Sequence, residues 1–165
     1  MAFISKKIED LINFRIVEEE KSVRLYLAMS KWLRYNGYEG AAKLWQLYSD
    51  EEKIHAKKVC EYLEALDIQP KIQAIPEPKQ DYESLEQICK LTYDAEMMVT
   101  KQCNDLAKVA LAENDFMTLA LAQWYLTEQT EELGKTIYWL DRIESFGTSK
   151  EALRLLDNEM NKASK

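Results

Sequence analysis

Glu51-Glu52-Lys53-Ile54-His55 carries the only histidine in a chain of 165 residues. On a helix, Glu52 and His55 stand at i and i+3 and share a face. A carboxylate oxygen beside a neutral imidazole nitrogen suits iron, zinc or manganese. The same pair is also what a core-edge histidine hydrogen-bonded to a glutamate looks like. The surrounding chain has to separate the two.

Around the motif, a helix runs from about Gly40 to Leu66. Ala41, Trp45, Tyr48, Val59, Leu63 and Leu66 form its apolar stripe, centred on Glu52. His55 lies about 60° round, and Glu51 about 100° the other way. Upstream, Ile8 to about Tyr35 forms another helix, with Ile12, Ile16, Val23, Tyr26 and Leu33 as its stripe. Glu19 falls inside that stripe. Glu18 and Glu20 point roughly 100° to either side, so of the three only Glu19 is expected to face inward. Asn36-Gly37 closes this helix, glycine being the usual residue past a C-cap.

Downstream, Asp67 to Tyr82 contains Pro70, Pro76 and Pro78 and has no helical period. About 15 extended residues reach up to ~50 Å, and a helix of about 28 residues is ~42 Å long. A connector of this length can run the whole bundle and leave helices two and three parallel. Shorter turns make the other neighbours antiparallel. Ser84-Leu85-Glu86-Gln87 reads as a capping box. It opens a third helix with Leu85, Cys89, Thr92, Val99, Cys103 and Ala110 inward and Glu96 at the centre. Glu113-Asn114-Asp115 is a tight turn. The fourth helix, Phe116 to about Glu144, turns Leu121, Ala122, Tyr125, Leu126, Thr136, Trp139, Leu140 and Ile143 inward. Gln129 and Glu132 stand among them, with Glu128 and Glu131 towards one edge. After Phe146-Gly147-Thr148-Ser149, a short fifth helix spans Lys150 to about Asn161, with Leu153, Leu155, Leu156 and Met160. It is too short to stand alone and must dock on the bundle or on another chain. The expected fold is all-α, one domain over residues 1–165 with its bundle at about 8–145.

Composition agrees. Four glycines, three prolines and 31% charged residues favour long helices over sheets. The net charge of −7 argues against nucleic acid and for cations as partners. Cys60, Cys89 and Cys103 are odd in number and form no Cys-x-x-Cys pair, which argues for a reducing compartment. The run from Met1 to Lys7 leads into no apolar segment of the signal-peptide kind. No apolar run approaches the ~20 residues of a membrane span. A soluble, cytoplasmic protein is expected.

Four helices thus each place ligand types at mid-length of an apolar stripe: Glu19; Glu52 with His55; Glu96; Gln129 with Glu132. Buried carboxylates are costly unless paired or metal-bound. The stripes contain no lysine, and Arg15 is the only cation near Glu19. Two divalent metal ions bridged by Glu52 would neutralise the set. At this point the chain resembles the non-haem ferritins of bacteria over nearly its whole length. The resemblance rests on Glu19 seven residues before Tyr26, on Leu25-Tyr26-Leu27-Ala28-Met29-Ser30, and on Glu39-Gly40-Ala41-Ala42. It rests also on Glu51-Glu52-x-x-His55, on Tyr93-x-x-Glu96, and on Gln123-Trp124-Tyr125-x-x-Glu128-Gln129-x-Glu131-Glu132.

The resemblance implies a ferritin-like four-helix bundle and a ferroxidase centre that oxidises Fe(II) to Fe(III) with dioxygen or peroxide. Glu19, Glu52 and His55 would hold one iron, and Glu52, Glu96 and Glu132 the other, with Gln129 beside them. Tyr26 would be the nearby electron donor or hydrogen-bonding residue. Glu51, Glu128 and Glu131 would join Glu132 in a third iron site. The family further implies a homo-oligomeric cage of 24 chains storing ferric mineral, with the fifth helix docked around a four-fold axis. Vertebrate chains line a three-fold channel with acidic residues where this chain has Leu119 and Ala122. Lys53 stands where haem-binding bacterioferritins carry a methionine, so no haem is expected. Alternatives are a di-iron peroxidase or oxygenase of the rubrerythrin type and a DNA-protecting mini-ferritin. The first usually has a second Glu-x-x-His, and the second lacks the fifth helix.

Overall fold

Four of the five helices open on a side chain that closes their first turn. In the computed structural model, which describes residues 3–165, Ser5 accepts from the Ile8 amide at the start of α1 (Lys6–Tyr35). Ser84 accepts from Gln87 at the start of α3 (Leu85–Ala112), while the Gln87 side chain accepts from the Glu83 amide. Asp115 caps α4 (Phe116–Phe146) and Ser149 caps α5 (Lys150–Ala163). Only α2 (Glu39–Ala65) starts without a side-chain cap. Gly37 takes φ +85° after α1, the left-handed turn in which glycine costs nothing. No strand occurs among the described residues.

The apolar stripes meet in two clusters, one towards each end of the bundle. One joins Tyr26, Met29 and Leu33 to Trp45, Leu85, Ile88, Trp139 and Ile143. The other joins Ile8, Ile12 and Ile16 to Val59, Leu63, Leu106, Leu121 and Ala122. Helices α2 and α3 both start in the first cluster and end in the second, so they run parallel, as the connector length requires. Helices α1 and α4 run the opposite way. The connector stays extended along the bundle. The Lys71 amide donates to Asn13 at 2.8 Å, and Tyr82 packs edge-on against Trp32 at the far end.

Helix α5 docks on its own chain. Leu156 and Met160 enter the first cluster, and Asp157 accepts from the Ala41 amide at 2.8 Å. Gly40 makes this approach possible, because a Cβ there would collide with the Asp157 carbonyl and lie 2.8 Å from Asn161 Cβ.

Two expectations are corrected, at Glu18 and at Ala122, and the face that α5 buries is defined. Glu18 is buried as well as Glu19, because Gln102 of α3 and Lys21 close over it at 2.8 and 2.6 Å. Leu155 is 57% exposed, since α5 buries only the face of Ala152, Leu156 and Met160. Ala122 is fully buried inside the second cluster and so cannot line an opening between chains. Met1 and Ala2 of the N-terminal run lie outside the described residues.

Candidate metal centre

The gap between the two apolar clusters is filled by polar side chains from all four long helices. Glu19, Glu52, His55, Glu96, Gln129 and Glu132 are each at most 7% exposed. Glu19, Glu52 and His55 each offer one ligand atom such that all lie within 4.8 Å of one another. The His55 ring turns Nδ1 to this group, 3.3 Å from Glu52 and 3.8 Å from Glu19. Its backbone carbonyl accepts from the Tyr125 hydroxyl at 2.7 Å, and Trp124 stands edge-on to the ring. These contacts fix where the imidazole points.

Glu96 faces the same space from α3. Tyr26 donates its hydroxyl proton to one oxygen, and Gln129 donates to the other at 2.9 Å. Burial, then the Glu96 charge, push the Tyr26 hydroxyl well above its usual range, so it remains a donor. Glu132 completes the set from α4.

Cations are short here. Arg15 is fully buried and pairs with Glu19 one turn on, while also donating to Gln102. Lys135 reaches Glu132 at 3.0 Å from the other side. Burial with so little positive charge favours the protonated form of the carboxyls. Burial, then the neighbouring Glu19 charge, push Glu52 well above the ordinary carboxylate range. Burial also raises Glu96, against the pull of its Tyr26 and Gln129 hydrogen bonds. Burial raises Glu132 to about 7 despite Lys135. A desolvated oxygen-rich group with one imidazole and too little positive charge is a donor set for a divalent cation, which would displace those protons.

The outer acidic residues are arranged differently from a single ring. Glu51 and Glu131 turn to Lys135, at 3.3 and 3.2 Å. Glu128 instead approaches His55 Nε2 at 3.7 Å. Lys53, on the outer face of α2, pairs with Asp50 at 2.6 Å.

Helical periodicity places the inward carboxylates and His55, and Arg15 is legible as the cation near Glu19 at i+4, but Gln102 and Lys135 are not seen as partners. The i+3 spacing of Glu132 and Lys135 was an available signal. Gln102 carried none, because its role arises only from the packing of α3 on α1.

Comparisons with known proteins agree with this fold. The family model for the ferritin-like domain matches residues 9–146. A bacterial non-heme ferritin of Campylobacter jejuni is 34% identical over 154 residues, covering 93% of this chain and 92% of its own. One of Escherichia coli O6:H1 is 32% identical over 157 residues, covering 94% and 92%. Among solved structures, an open pore ferritin from the archaeon Archaeoglobus fulgidus superposes with a TM-score of 0.94 at 31% identity, covering 98% of each chain.

Proposed function

Because this chain belongs to the ferritin family, with bacterial non-haem ferritins among its relatives, we propose that it stores iron by oxidising Fe(II) at a two-iron centre. The observation that carries this is the convergence of Glu19, Glu52 and His55 within ligand reach of one another, with Glu96 and Glu132 facing them. Fe(II) enters as substrate. Glu19, Glu52 and His55 take one ion; Glu52, Glu96 and Glu132 take the second, Glu52 bridging and Gln129 beside them. Charged carboxylate oxygens favour Fe(III) over Fe(II) and so assist loss of an electron to dioxygen or peroxide. The Tyr26 hydroxyl donates to Glu96 and orients it, and Tyr26 would be the nearby residue to supply an electron. Glu51, Glu128 and Glu131 extend the acidic path outward from Glu132, a route by which oxidised iron leaves the centre.

The chain acts as one unit in a cytoplasmic cage of 24 copies and uses no haem. The test is to add Fe(II) aerobically, then measure particle mass by light scattering and iron per particle after desalting. A particle of 24 chains retaining far more than two irons per chain is expected. A monomer or dimer that releases its iron would remove the storage function.

A further inference from the structure

The outer acidic cluster already contains a cation, and it belongs to the protein. Lys135 follows Glu132 by three residues, so the two share a face of α4. Di-iron carboxylate bundles carry Glu-x-x-His on two helices. Here α2 has that motif, while the buried i, i+3 pair of α4 is Gln129 and Glu132, and Lys135 stands one turn further on, beside Glu132. An ammonium has three donors and no lone pair. Those donors meet three carboxylates: Glu132 at 3.0 Å, Glu131 at 3.2 Å and Glu51 at 3.3 Å.

The ammonium is held from below as well, 5.8 Å from the centre of the Tyr48 ring. Its other side opens on a surface cavity of about 720 Å³ between α2, α4 and the end of α5. Lys135 therefore stands between the buried centre and solvent. A divalent ion and an ammonium cannot share the same oxygens without strong repulsion. Glu128 cannot make up the deficit alone, since it turns to His55 instead.

We propose that the Lys135 ammonium fills the outer carboxylate cluster in place of a third metal ion, so that this chain holds two metal ions tightly and not three. The proposal rests on the two-iron centre above and deepens the assignment of the outer cluster. Lys135 sets metal stoichiometry by occupying Glu51, Glu131 and Glu132; it binds no metal itself.

The test uses the assembled, metal-free full chain and Zn(II), which is redox-inert, with calorimetry and native mass spectrometry counting ions per chain. Wild type should bind two. Lys135→Met and Lys135→Gln should bind three, and Lys135→Arg two. Adding Glu131→Gln to Lys135→Met should return the count to two. A wild-type count of three overturns the proposal whatever the variants do. So does a count of two in a folded Lys135→Met or Lys135→Gln protein. His55→Ala in the same titration separates the layers. If it binds as many ions as wild type, the two-metal centre itself is wrong, and this inference falls with it.

Discussion

At the scale of residues, the centre is governed by how burial sets protonation. Glu52 and Glu96 are raised, and Glu132 is raised to about 7, from an ordinary carboxylate value near 4.3. A raised acid binds its proton more tightly in the folded state than in the unfolded one. Its stabilising contribution is complete below the ordinary value and is lost as pH rises through the folded value. Metal-free protein should therefore melt at a higher temperature at pH 5.5 than at pH 7.5. Saturating Zn(II) should stabilise it more at pH 7.5 and narrow that gap. Scanning calorimetry with and without Zn(II) tests this. A metal-free melting temperature that rises between those pH values would contradict the assignment of the strained carboxyls. Glu18 acts in the opposite sense, because its Lys21 and Gln102 hydrogen bonds hold it low against burial. Its contribution is lost only on acidification below the ordinary range. The inward glutamates were legible because one period places them on one stripe. Glu18 was not, because a helical wheel contains no neighbouring helix, and Gln102 reaches it from α3.

At the scale of elements, α5 was legible as a helix but not as a docked one. Fourteen residues with four large apolar side chains fit either the bundle or another chain. What decides is Gly40, the second residue of α2, which lets the α5 backbone lie directly on it. Gly40→Ala should force α5 away, because the atom in the way is a backbone carbonyl that cannot rotate aside. Overpacking of this kind costs about 1–3 kcal/mol or more. Amides of residues 150–163 should then exchange hydrogen roughly tenfold faster or more, while those of α1 to α4 keep their protection. Equal protection of α5 in the variant would show that the contact is relieved by a small shift. The exposed Leu155 marks the other face of α5, left uncovered within this chain.

At the scale of the whole molecule, the topology followed from simple lengths. A proline-bearing stretch too long for a turn, and without helical period, was long enough to span the bundle. Parallel α2 and α3 then bring Glu52 and Glu96 to the same depth. The short turns at Gly37 and Asn114 do the same for α1 with α2 and for α3 with α4. Sequence placed the ligand types at mid-length of each apolar stripe but could not show that the apolar residues on either side close into two separate clusters that wall this chamber at both ends. Nor could it show Lys135 closing one side, since that residue lies off the stripe and reaches in with its long stem.

We infer that this chamber takes two Fe(II) ions and oxidises them. The direct measurement is rapid mixing of the metal-free protein with Fe(II) in air-saturated buffer, with oxidation followed by absorbance at increasing iron per chain. The fast phase should saturate at two Fe(II) per chain. Losing even an outer partner of a metal ligand typically costs about 10–100-fold, so Glu52→Ala and His55→Ala should each slow that phase by roughly tenfold or more, with helix content unchanged. A fast phase that keeps wild-type rate and stoichiometry in both folded variants would contradict the account.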